Sequence, residues 1–205
     1  MADADTLTGC SDEDLLLRYV RGQTEAFHVL IYRYERELFG YLRRYLGDNA
    51  LAEDVFQNTF LQLHLKSSHY EPGRPVRPWL YTIATNQAID ALRRNGRHQA
   101  ASLDVERDNP GEGESQTLME MLESREPGPL DRAHGQEWRQ RVRASVELLP
   151  DFLRQVLLLA YYQGMKYRDI ADILGIPVGT VKSQLHAALV KLHEAWSASP
   201  SLYES

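Results

Sequence analysis

One stretch constrains this chain's fold more than any other: Tyr167-Arg-Asp-Ile-Ala-Asp-Ile-Leu-Gly-Ile-Pro-Val-Gly-Thr-Val-Lys-Ser-Gln-Leu-His. Ile170, Ala171, Ile173 and Leu174 recur at helical spacing and give a short first helix one apolar face. Gly175 can take the positive φ that ends such a helix. Pro177 stands where a second helix begins, because its fixed φ suits that place and no amide donor is needed there. Val181, Leu185, Leu189 and Leu192 stripe one side of the second helix, and Ala171 is small enough to let the two cross closely. Such a pair is a helix-turn-helix or an ordinary helical hairpin. Gly179, Thr180, Lys182, Ser183, Gln184 and His186 face outward. They are the short hydrogen-bonding groups and the cation that meet phosphates and base edges in a major groove.

Helical periodicity continues through most of the chain, and strand signals are almost absent. Ser11 is an N-cap followed by Asp12, Glu13 and Asp14 in a first turn, where carboxylates favour the helix dipole. Leu15, Leu16, Tyr19 and Val20 form that helix's apolar face. After Gly22, Thr24 is placed to cap a long helix that carries Phe27, Leu30, Ile31, Tyr34, Leu38, Tyr41, Leu42 and Tyr45. Gly47-Asp-Asn is a turn, and a third helix runs from about Ala50 to Lys66 over Val55, Phe56, Thr59, Phe60 and Leu63. Pro72, Pro75 and Pro78 then interrupt helix, so a fourth is expected from about Trp79 to Arg94. A later helix holds Trp138, Val142, Val146 and Leu149, and another, after Pro150, holds Phe152, Val156, Leu157 and Leu159. The fold class is all-α, two small helical domains over residues 10–98 and 135–197.

Residues 99–134 separate the two. They collect Asp, Glu, Gly, Pro and Ser, which bury too little apolar surface to offset ordering entropy, so the expectation is a flexible acidic linker. The formal net charge of −6 hides a strong polarity. From Arg74 to His98 five arginines face Asp90 alone, whereas from Ala100 to Glu137 ten carboxylates face three arginines. The single cysteine, Cys10, excludes an internal disulfide, and no cysteine–histidine cluster has metal-ligand spacing. Neither a signal peptide nor a run long enough to span a membrane is visible, so a cytoplasmic protein without metal or cofactor is expected.

Trp79, Tyr81, Asn86, Asp90, Arg93 and Arg94 belong to the fourth helix, the last four along one face. Aromatic rings beside cations suit unpaired bases, on which rings stack while arginines follow phosphates. The same rings could instead be core.

Three motifs in order carry a family resemblance: Ala52-Glu-Asp-Val-Phe-Gln-Asn-Thr-Phe, then Trp79-Leu-Tyr-Thr-Ile-Ala-Thr-Asn-Gln-Ala-Ile-Asp-Ala-Leu-Arg-Arg, then Leu149-Pro through Gly179-Thr-Val-Lys-Ser. The chain resembles a bacterial extracytoplasmic-function sigma factor, a promoter-recognition subunit of RNA polymerase, across roughly residues 10–98 and 135–195. The resemblance implies that Asp54, Val55, Gln57 and Phe60 bind the polymerase clamp. It gives the −10 element to Tyr70, Arg74, Arg77, Trp79, Tyr81, Asn86, Asp90, Arg93 and Arg94, with a flipped base caught in the loop from Tyr70 to Trp79 beside Asn86. The −35 element falls to Thr180, Lys182, Ser183, Gln184 and His186. The implied partners are core RNA polymerase, through its beta-prime clamp and beta flap, and promoter DNA; members of the family are often held by an anti-sigma factor. In this family the acidic linker threads the polymerase cleft.

Departures qualify the resemblance. Gln184 and Ala187-Ala188-Leu189 stand where the family usually has Arg and Arg-Ala-Arg, which removes phosphate contacts and their counterion release. Pro72-Gly73-Arg74-Pro75 replaces a common Gly-Asp, so the preferred flipped base is open. Two other readings compete: a helix-turn-helix regulator that does not replace the sigma subunit, and a helical hydrolase. The second is weak, because His64 and His69 lack the spacing of a helical metal pair and neither a phosphate loop nor a nucleophile motif appears.

Overall fold

The computed structural model describes residues 7–96 and 142–197. All regular elements among them are helical. The chain divides into two compact units, residues 1–98 with 168–175 and residues 99–167 with 176–205. The expected linker and Trp138 lie outside the described residues.

In the first unit four helices follow one another: α1 (Asp12–Val20), α2 (Thr24–Leu46), α3 (Asn49–Lys66) and α4 (Val76–Arg94), with a 3₁₀ turn at Ser67–His69. The Ser11 side chain accepts the Asp14 amide at 3.1 Å and caps α1. The Asp12 carboxylate accepts from both the Arg33 guanidinium and the Tyr34 hydroxyl, tying α1 to α2. Burial first, then that bond and the nearby negative charge, hold the Tyr34 hydroxyl far above its usual range, so it is a permanent donor. Gly47, at φ 69°, ends α2, and Asp48 accepts the Leu51 amide at 3.1 Å to begin α3. Leu30, Leu38, Tyr41, Leu42, Tyr45, Leu63, Leu80 and Tyr81 form the centre of the unit, each 0% exposed. The Tyr41 hydroxyl finds Thr85 at 2.9 Å, which satisfies both buried polar groups.

Two helix starts differ from expectation. Thr24 is the first residue of α2 and not its cap; Gln23, directly after Gly22 at φ 99°, takes that place and its carbonyl accepts the Ala26 amide at 3.2 Å. α4 begins at Val76, three residues before Trp79, with Pro78 inside its first turn. Amides of a first turn have no intrahelical acceptor, so the missing Pro78 N–H costs nothing there.

In the second unit residues 142–147 are helical, followed by α5 (Asp151–Leu157), which continues into a π-helical turn at Leu158–Tyr162. Val146, Leu149, Leu153, Val156, Leu157, Leu158 and Leu159 are buried. The last helix, α7 (Val178–Ser197), packs on α5 through the face of Val181, Leu185, Ala188, Leu189 and Leu192. Between them in sequence runs α6 (Tyr167–Leu174), whose residues 168–174 are grouped with the first unit and which buries Ile170, Ala171 and Ile173. Gly175 at φ 66° ends it, two residues before Pro177. The Pro177 carbonyl accepts the Thr180 amide at 2.9 Å and the Val181 amide at 3.1 Å, so proline is the cap of α7, one residue earlier than a first helical position.

Candidate nucleic-acid and polymerase interface

The loop before α4 is held from several sides. The Tyr70 ring stacks on Trp79 with centroids 5.6 Å apart and planes 29° off parallel. Its hydroxyl donates to the Arg74 carbonyl, closing the turn around Gly73 at φ 93°, where a residue with a Cβ would be strained. Burial, with Glu13 nearby, raises the Tyr70 hydroxyl above its usual range, so it stays a donor. Glu71, Pro72, Gly73, Arg74 and Pro75 form the exposed tip.

Two acidic side chains from other helices fix the start of α4. Glu13 accepts the Val76 amide at 3.0 Å. Glu37 accepts from Arg77 Nε at 3.2 Å and Nη2 at 2.5 Å, and from the Tyr81 hydroxyl at 2.7 Å. The Arg77 guanidinium lies 5.7 Å above the Tyr81 ring. Burial alone would lower the Arg77 pKa, but the bonds and charge of Glu37 reverse this and raise it. Burial and the same carboxylate push the Tyr81 hydroxyl far above its ordinary value.

These contacts alter the sequence-based site. Tyr81 is wholly buried, so its ring offers no face to a base; it is a core aromatic. Arg77, which the resemblance gives to the −10 element, is half-buried and engaged with Glu37. Tyr70 is 8% exposed, its ring committed to Trp79, itself half-buried. Asn86, Asp90, Arg93 and Arg94 all lie exposed on α4, with Arg93 3.8 Å from Asp90 and Arg94 Nε donating to the Asp90 carbonyl at 3.3 Å. Neither Glu13 nor Glu37 was expected. Nothing in their periodicity marks them, since each meets a partner at least 40 residues away.

On α3, Asp54 and Gln57 are exposed, but Val55 and Phe60 are buried; Phe60 lies 5.0 Å from the Phe56 ring. The apolar surface here belongs to Leu61 and Leu65, 51% and 57% exposed, which the sequence reading missed. They continue the Gln57 row at four-residue steps, a signal hidden because α3 is apolar on more than one side.

On α7, Gly179 and Lys182 are exposed, and Thr180, Ser183, Gln184 and His186 half-buried. Val178, 40% exposed, adds an apolar contact at the helix start. The Ser183 hydroxyl donates back to the Thr180 carbonyl at 3.1 Å. His186 Nδ1 is buried without a hydrogen-bond partner among the described residues. Among those residues no cluster of metal-ligating side chains occurs, and no single helix is long and apolar enough to cross a membrane.

A family model described as Sigma-70 region 2 matches residues 30–98, and another, Sigma-70, region 4, matches residues 139–192. The RNA polymerase sigma-H factor of Pseudomonas aeruginosa is 31% identical over 189 residues, 92% of this chain and 95% of that protein. The ECF RNA polymerase sigma-E factor of Escherichia coli is 30% identical over 178 residues, 87% and 90% of the two chains. CnrH, solved in complex with the cytosolic domain of CnrY, has a TM-score of 0.66 at 23% identity over 92% of this chain and 99% of that one. The sigma factor RpoE from Bartonella quintana, solved with the anti-sigma factor NepR, has a TM-score of 0.58 at 22% identity, covering 83% and 96%. These two structures share the fold. The chain belongs to the extracytoplasmic-function sigma factors. As a sigma factor it binds core RNA polymerase and promoter DNA and directs transcription initiation.

Proposed function

We propose that this sigma factor opens its promoters with the loop of residues 70–76 and the exposed face of α4, and reads upstream duplex with the start of α7. The observation that carries this reading is the loop itself. Its tip is exposed, its ends are fixed by a ring stack and two carboxylates, and Asn86, with a donor and an acceptor, stands on the same helix as the stacked Trp79. A flipped base costs a few kcal/mol to unstack, so it needs a pocket already formed. Arg74, Arg93 and Arg94 supply cations for the strand, and Trp79 the half-exposed ring. At the other site Lys182 meets duplex phosphate, with Thr180, Ser183, Gln184 and His186 beside it.

Polymerase binding is assigned to the outer side of α3, where Asp54 and Gln57 flank the exposed Leu61 and Leu65. Val55 and Phe60 support that face from within. RpoE is held by an anti-sigma factor; an inhibitor of that kind suits this chain too, since Leu61 and Leu65 offer it apolar surface.

The test is a pair of substitutions on a promoter mapped from transcript 5′ ends. Asn86→Ala leaves closed-complex binding nearly intact and removes permanganate reactivity of thymines near the start site. Lys182→Ala weakens the closed complex, lowers its salt slope by about one unit, and spares opening once bound. The same defect from both substitutions would rule the division out.

A further inference from the structure

The start of α4 lacks what most helix starts contain. Pro75 stands at the cap and has no side-chain oxygen, and no cap bond forms from within the loop. Of the first three helical residues, Pro78 has no amide at all. The Val76 amide is instead taken at 3.0 Å by Glu13, from the first turn of α1, 63 residues earlier. A carboxylate there satisfies an orphan donor and complements the positive end of the helix dipole. One residue on, Arg77 is gripped by Glu37 of α2, which also takes the Tyr81 hydroxyl.

We infer that Glu13 is a positioning residue for promoter opening: it caps α4 from a distance and so fixes the loop of residues 70–76, with Glu37 as the second anchor. Glu13 itself touches no DNA. Its side chain is occupied by the Val76 amide at the inner end of the loop, whereas the tip at Arg74 is exposed. The loop is too rich in proline to hold itself: its internal backbone bonds are the Tyr70 amide to Ser67 and the Arg74 amide to Glu71, both at 3.1 Å, and both lie before the junction with α4. Fixing that junction keeps Trp79 under Tyr70 and sets the start of the helix that carries Asn86. α1 thereby takes part in opening although it lies far from Asn86 in sequence.

This inference rests on the proposed role of the loop in base capture, and the experiment separates the two. Holoenzyme is assembled with the full chain carrying Glu13→Ala, Glu13→Gln or Asn86→Ala. Each is measured for closed-complex affinity and for permanganate-detected opening on the mapped promoter. Amide exchange at Val76 is followed in the free chain. Glu13→Ala is expected to speed exchange at Val76 and to reduce opening about tenfold, the scale of one lost charge-assisted hydrogen bond, with closed-complex affinity changed less than about twofold. Glu13→Gln keeps an acceptor oxygen and restores most of the opening. Wild-type opening with Glu13→Ala, while Asn86→Ala is defective, overturns the positioning role. Equal loss from the Gln and Ala variants overturns it as well, because a cap bond survives in Gln. If Asn86→Ala also opens normally, it is the base-capture reading that fails.

Discussion

The two helices that face DNA in this proposal, α4 and α7, are prepared for it in opposite ways. α7 is started by its own neighbourhood: Gly175 turns the chain with a positive φ, Pro177 provides the first accepting carbonyl, and the Ser183 hydroxyl returns to Thr180. Everything lies within a few residues. α4 is started by Glu13 and Glu37 from two other helices, and its preceding loop is propped by the Tyr70–Trp79 stack. A helix that docks on duplex DNA needs only a rigid outer face, and local chemistry suffices. A loop that must receive an unstacked base needs a cavity of fixed shape, and a proline-rich segment acquires one only by leaning on the rest of its domain.

Substitutions can break this contrast, and the largest effect belongs to Tyr81. Tyr81→Ala removes a wholly buried ring and leaves Glu37 facing Arg77 alone; a loss of about 3–5 kcal/mol is expected from urea unfolding followed by hydrogen exchange in residues 7–96. Loss confined to α4 would show that the domain does not lean on this contact. Tyr81→Phe is milder and adds a pH test. Tyrosine hydroxyls at 34, 41 and 81 are raised in the fold above an unfolded value of about 10, so their contribution is complete below that pH and fades as pH rises through the folded value. Alkaline unfolding, read by circular dichroism, therefore begins near pH 10 and is less steep in Tyr81→Phe.

Gly175→Ala probes the local device. An L-residue at φ 66° costs about 1–2 kcal/mol, and exchange should rise around α6 and the start of α7 while the Val76 amide stays protected. Faster exchange at Val76 would erase the difference between the two helices.

The outer face of α3 should report binding with little change in stability. Asp54→Ala with Gln57→Ala, and separately Leu61→Ser, are expected to weaken core polymerase capture while unfolding shifts by less than about 1 kcal/mol, as exposed positions usually do. Unchanged capture by both would remove this face from the interface.

The smallest effect concerns the acidic stretch, outside the described residues. Glu112, Glu114, Glu120 and Glu123 changed to Gln should raise the DNA affinity of the free protein modestly at low salt and not at high salt, where screening is strong. Equal affinity at every salt concentration reduces that stretch to a spacer.

Much of this protein was legible in one dimension, and the reason is range. The Ser11 cap, the Gly175 turn and the stripe from Val181 to Leu192 are relations over three to seven residues, which helical geometry converts directly into structure. The same regularity carried the three motifs that mark the family. Local chemistry misled at two helix starts: Thr24 reads as a cap although Gln23, with no side-chain cap bond, takes that place, and Pro78 reads as a helix breaker unless its place in a first turn is known.

Only the tertiary structure decided which surfaces face inward. Tyr81 and Trp79 lie two residues apart on one helix, yet one is core and the other half-exposed, because α2 covers the side that holds Tyr81. α3 carries apolar residues on more than one side, so periodicity alone could not tell that Phe60 is buried and Leu65 is not. The Glu13–Val76 and Glu37–Tyr81 bonds join residues 63 and 44 positions apart. Such pairs leave no trace in spacing, since a carboxylate on a helix surface looks the same whether water or a distant amide is its partner. Packing chose the amide, and with it the shape of the loop.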